Sequence, residues 1–142
     1  MKKRIKLAAL FSAFFMISSA YSAELPPSAN ITKAFADSAK RSILGEGGTF
    51  PVKVEAGYEV TNIFYNLNNV VFEYNMPTDS QSASMEEIIE GIRLGLNAQF
   101  CDKQDVIDVL RAYDISFLFR FQFTDNRIVP ATLSIDNICQ KQ

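Results

Sequence analysis

Residues 115–123 alternate apolar and polar side chains, interrupted once, at Leu118. Ile115, Phe117, Phe119, Phe121 and Phe123 fall on one side; Ser116, Leu118, Arg120 and Gln122 fall on the other. Successive side chains of a strand point to opposite faces, so this pattern demands a sheet with one face buried. Asp125-Asn126 then turns the chain, and residues 128–135 return as a partner strand. Pro130 has no N–H to give to a ladder, which places that strand at an edge.

Two more β-rich runs, 58–65 and 70–76, flank Asn66-Leu67-Asn68-Asn69 and read as a hairpin, because asparagine tolerates turn conformations. Before them, residues 49–54 alternate Phe50, Val52 and Val54 with Pro51 and Lys53, which predicts a further strand. The helices show a different period. Ile31, Ala34, Phe35, Ala39 and Ile43 form a stripe over 28–44, with Ser28 as its cap and the glycines around residues 45–48 as its stop. Ser84 and Glu87 have the spacing of a capping box, followed by Ile88, Ile89, Ile92, Leu96 and Phe100. A short helix over 103–112 would bury Val106, Val109 and Leu110. The order predicts an α+β domain: a mainly antiparallel sheet of four to five strands, with about three helices packed on one face and one disulfide.

The N-terminal residues carry a different message. Lys2, Lys3, Arg4 and Lys6 precede an apolar run over 7–17, and small residues follow at Ser18, Ser19, Ala20, Ser22 and Ala23. A basic end, a short apolar centre and a small-residue exit make a cleavable export signal, too short in its centre to span a bilayer. The expected division is a signal peptide over 1–22 and a single periplasmic or secreted domain over 23–142, with no stable membrane anchor after cleavage. Removing the signal leaves 10 Lys+Arg against 16 Asp+Glu, a net charge of −6. Such a chain is unsuited to nucleic acid or anionic membrane surfaces, since it cannot replace the counterions around phosphate.

An exported chain with two cysteines, Cys101 and Cys139, is expected to join them. Closing that loop removes about 4 kcal/mol of unfolded-state entropy in the chain-entropy model. The chain has no histidine, so serine nucleophiles lack their usual base, and with both thiols consumed no transition-metal site is expected. Glu86, Glu87, Glu90, Asp102, Asp105 and Asp108 cluster near helix starts, where carboxylates meet the helix dipole favourably. Their spacing does not match a calcium loop. No catalytic residue, metal ligand or cofactor site is assigned. Twelve phenylalanines and no tryptophan suit a dry core. Tyr58, Tyr65, Tyr74 and Tyr113, with Leu118 on the polar side of its strand, are the residues that could form an exposed patch for a partner.

Phe100-Cys101, the short helix ending near Leu110, Ile115-Ser116 with Phe119 and Phe121, and the polar turn at Asp125-Asn126 form one pattern with Leu133, Ile135 and Cys139. Together with Val60, Ile63, Val70, Phe72 and Tyr74 it resembles small exported bacterial proteins of the quorum-sensing-regulated virulence factor type, over most of residues 30–139. The resemblance implies a compact exported α+β domain with a Cys101–Cys139 bond and no catalytic residues. The chain departs from the pattern in the turn, where Asn126-Arg127 stands in place of an expected glycine. Secretion pilotins are also small disulfide-bonded exported domains, but as lipoproteins they use a cysteine that this leader does not have.

The reading is therefore a non-enzymatic exported protein that binds another envelope or secreted protein through a sheet edge or a tyrosine-bearing face. An inhibitor, immunity-type or secretion-accessory protein is the alternative of the same class. A small hydrolase using Glu87, Glu90 or Asp105 is the alternative of another class.

Overall fold

A computed structural model describes residues 27–54 and 57–139; the expected signal peptide lies outside them. Helix α1 (Pro27–Leu44) starts on its proline, whose missing N–H costs nothing in a first helical turn. Ser28 is accordingly not the cap expected of it but lies inside that turn. Gly45 stops the helix at φ 67, returning its N–H to the Arg41 carbonyl at 3.0 Å.

Five strands follow: β1 (Val52–Lys53), β2 (Glu59–Asn66), β3 (Asn69–Asn75), β4 (Ser116–Gln122) and β5 (Ile128–Ser134). They lie side by side in chain order, and β1–β2, β2–β3 and β4–β5 pair antiparallel. The β3–β4 pair is parallel, a geometry that requires a long crossover between the strands. Helices α2 (Met85–Phe100) and α3 (Gln104–Ala112) supply it, and a single turn, α4 (Ile135–Ile138), ends the described chain. The expected strand over 128–135 stops one residue early. Ser134 caps α4 through a reciprocal box with Asn137 and draws Ile135 into the helix.

The architecture is the expected α+β arrangement: a mostly antiparallel five-stranded sheet with its helices on one face and one disulfide. Phe117, Phe119 and Phe121 meet Val70, Phe72 and Tyr74 on β3 and Leu133, Ala131 and Val129 on β5. The five-position stripe from Ile115 to Phe123 is buried throughout, in one core with Ile31 and Phe35 of α1, Leu96 and Phe100 of α2, and Leu110 of α3. Burying each large apolar side chain contributes about 1.5–3 kcal/mol. Phe35 meets Phe117 edge-on at 5.9 Å, and Phe72 stacks on Phe119 at 5.2 Å. The β4–β5 turn needs one residue in the left-handed region, and Asn126 supplies it at φ 65 where a glycine would serve.

Cys101 caps the end of α2 and bonds Cys139, just past α4, with their Cα atoms 5.4 Å apart. Asn97 supports the staple by donating from Nδ2 to the Ile138 carbonyl at 3.0 Å.

Candidate interaction surface

The strand register assigns every outward side chain of the sheet. One row across β2–β5 is Asn66, Asn69, Ser116 and Ser134; the next is Phe64, Val71, Leu118 and Thr132; the third is Asn62, Glu73, Arg120 and Pro130. Asn62, Arg120, Gln122, Ile128, Pro130 and Thr132 are exposed, so this face meets solvent. Its middle row is apolar up to Thr132 on β5. Val71 is only 2 % exposed yet lies outside the main core, flanked in the register by Phe64 on β2 and Leu118 on β4. Beside it, Arg120 donates to Glu73 across the parallel pair at 3.0 Å. The outer face thus carries an apolar bar bordered by an ion pair and by a row of asparagines and serines.

One edge of the sheet is also open. The strand expected over 49–54 pairs at two positions alone, Val52 with Val60 and Lys53 with Glu59. Among the described residues, 62–66 of β2 therefore have no strand on their far side. At the tip of the hairpin, Leu67 is 70 % exposed and holds φ 55. Thr32 Oγ1 donates to the Leu67 carbonyl at 2.7 Å, and Asn68 Nδ2 donates to the Asp114 carbonyl at 2.6 Å. The second turn of α1 and the segment leaving α3 are thereby tied to the hairpin tip.

The residues picked out from sequence as a partner-binding face do not share a surface. Tyr74 pairs with Phe121 in the register and stacks on it at 5.5 Å, on the core side. Burial pushes its phenol up to about 12. Tyr58 and Tyr113 also pack against the core, and Tyr65 lies opposite Val70 at the open end of β2. Leu118 is on the outer face. The residues missed were its neighbours Phe64 and Val71: in the run Val70-Val71-Phe72 all three side chains are buried, from both sides of the sheet, and this hides the alternation.

A cavity of about 440 Å³ lies between the start of β2, the end of β3 and the first turn of α2. Tyr58, Met76, Pro77, Ser84, Glu87 and Ile88 line it. Ser84 Oγ accepts from the Glu87 N–H at 3.3 Å, the first half of the expected capping box. Among the described residues, Glu87 is the one carboxylate in the lining. Glu90 is clamped by both ends of the Arg93 guanidinium, at 2.9 and 2.6 Å, which holds its carboxyl below its ordinary range. Asp105 lies in the first turn of α3. Among the described residues, no three Cys, Asp or Glu side chains are grouped to hold a metal ion, and no helix is long and apolar enough to cross a membrane.

No family model matches the chain, and no curated protein matches it by sequence. Solved structures share its fold. The pilotin EpsS of the Vibrio vulnificus type 2 secretion system is 15 % identical, with TM-score 0.50, covering 81 % of this chain and 97 % of its own. A Pseudomonas aeruginosa protein described as a candidate secreted protein is 9 % identical, with TM-score 0.51, covering 80 % of this chain and 98 % of its own. At these identities the likeness concerns the fold.

Proposed function

We propose that this chain is an exported envelope or secreted protein that acts by binding another protein rather than by catalysis, as a secretion-accessory domain does. The observation that carries this reading is the pair of half-buried apolar side chains Phe64 and Leu118, either side of the buried Val71 on the solvent-facing side of the sheet, with Ile128 exposed on the same face. Apolar surface of that kind, rimmed by polar groups, is the anatomy of a binding site. The likeness in fold to a type 2 secretion pilotin supports a partner in a secretion apparatus. The sequence resemblance to the quorum-sensing-regulated virulence factor type supports export. The net charge of −6 after signal removal favours a partner with a basic surface.

The test is a cross-linking pull-down of the tagged mature protein from its native envelope fraction, read by mass spectrometry. One dominant partner is expected, and Leu118→Asp should lose it while remaining folded, because the carboxylate lands on the bar. Failure of Leu118→Asp to weaken capture, or the absence of any reproducible partner, overturns the reading. Loss of a measured turnover in a folded Glu87→Gln variant would favour the hydrolase alternative instead.

A further inference from the structure

The twelve residues 61–72, spanning most of β2, the turn and β3, contain no Asp, Glu, Lys or Arg. In a protein that carries a net charge of −6 once its signal is removed, this hairpin is a place where two copies can approach without like-charge repulsion. It also includes the part of the β2 edge that has no strand beside it among the described residues. Natural edge strands are blunted with charges, prolines or bulges. Residues 62–66, Asn-Ile-Phe-Tyr-Asn, have none of these; the bulge lies just before them, between Val60 and Asn62.

The direction of the free backbone groups follows from the turn. Asn66 and Asn69 flank a two-residue loop and pair with each other, as Phe64 does with Val71. In a hairpin of that length the flanking pair exchanges both bonds and the pattern then alternates. Phe64 and Asn66 therefore bond inward to β3, while Ile63 and Tyr65 turn their N–H and C=O to the open edge. The Ile63 N–H is held by the neighbouring Asn62 side chain, at 2.9 Å to Oδ1. That is a local substitute for a strand partner, made by an exposed residue free to swing away. Of the four large apolar side chains exposed among the described residues, two are here: Tyr65 at 36 % and Leu67 at 70 %.

We propose that this edge pairs with the same edge of a second copy, antiparallel about a two-fold axis at Phe64, making one continuous sheet from two. Within 62–66, a centre on Phe64 is the one that sets Ile63 opposite Tyr65 of the second copy and Tyr65 opposite Ile63, so that both sets of free groups face each other. Phe64 then meets Phe64 of the second copy across a non-hydrogen-bonded pair, where side chains are closest. The two apolar bars join into one, Leu118–Val71–Phe64 running on into its symmetry mate. The pairing is isologous and closes at two copies, since each edge is consumed. This goes beyond the partner reading above and does not depend on it.

The test uses the mature, disulfide-bonded protein in sedimentation velocity over a concentration series. A monomer–dimer equilibrium is expected for the native sequence. Tyr65→Pro removes one outward N–H without touching a β3 bond, so it should leave a folded monomer. Should that variant fail to fold, Phe64→Cys decides: the two Cα atoms would lie about 4.5 Å apart, within disulfide reach. Phe64→Cys should then cross-link as a dimer under mild oxidant, while Leu118→Cys, two strands inward, should not. A protein that stays monomeric at every concentration overturns the proposal. So does a dimer that survives Tyr65→Pro, or one in which Phe64→Cys and Leu118→Cys link equally. A monomer whose capture of another protein is abolished by Tyr65→Pro would assign the edge to that protein and also overturn pairing with a second copy. Loss of the outer-face partner through Leu118→Asp is read separately, so the two readings fail independently.

Discussion

Phe119→Ala measures whether the two faces of the sheet are assigned correctly. Phe119 is 3 % exposed on β4, with β3 and β5 on either side, so neighbouring strands hold the space open rather than closing over it. Truncating a buried phenylalanine costs about 3–5 kcal/mol in lost transfer energy and cavity. Its ring also stacks on Phe72 at 5.2 Å and lies 6.4 Å from Phe121; such pairs add about 0.5–1.5 kcal/mol each. The upper part of the range, about 4–5 kcal/mol, is therefore expected. With a urea slope of about 2 kcal/mol/M, the midpoint should fall by about 2 M. Arg120→Ala, one residue along and on the other face, removes an ion pair whose side chains are 43 % and 28 % exposed. An exposed pair contributes about 0–1 kcal/mol, so that midpoint should move by less than about 0.5 M. Equal shifts for the two variants, or a larger one for Arg120→Ala, would refute the assignment of faces.

Replacing Cys101 and Cys139 together with serine should cost about 4 kcal/mol by unfolded-state entropy and expose the amides of α4 to hydrogen exchange first; an unchanged denaturation midpoint would remove the staple from the stability argument. Thr32→Val deletes the 2.7 Å bond to the Leu67 carbonyl and should cost about 1–3 kcal/mol, with faster exchange at the hairpin tip; unaltered exchange there would show that Thr32 does not hold the tip. Tyr74 should be the last tyrosine to ionise in an alkaline ultraviolet titration, and Tyr74→Phe should remove that late step. Its folded value of about 12 lies above the ordinary 10.0, so the folded state keeps the proton longer. Stability from this group is complete below pH about 10 and is lost as pH rises from there toward about 12. A denaturation midpoint that rises over that interval would reverse the sign of the argument.

Where local chemistry and tertiary packing agreed, the sequence was a sufficient guide. The stripe from Ile115 to Phe123 is buried in full, Pro130 sits on an edge strand, and the helix after Ser84 runs to Phe100. The departures have identifiable causes. The parallel β3–β4 pairing has no local signature, because either strand could be flanked on either side. Val52 and Lys53 pair, but the rest of 49–54 does not, and nothing in its alternation distinguishes a two-residue strand from a longer one. Tyr74 does not face outward with the other candidates because the alternation of β3 sets it on the side of Val70 and Phe72, opposite Phe121 in the register. The candidate surface was legible at Leu118, an apolar residue on a polar row; Phe64 and Val71 become its neighbours only through the register.

The Cys101–Cys139 bond makes a covalent ring of α3, β4, β5 and α4. The longest run of exposed residues in that ring is Thr124–Ile128, around the turn at Asp125, Asn126 and Arg127. A peptidase cutting there would leave two pieces still joined through sulfur, with the register of β4 against β5 intact on either side of the nick. The ring therefore lets the domain outlive a cut that would separate an open chain. The nicked form would betray itself only on a gel run with reductant.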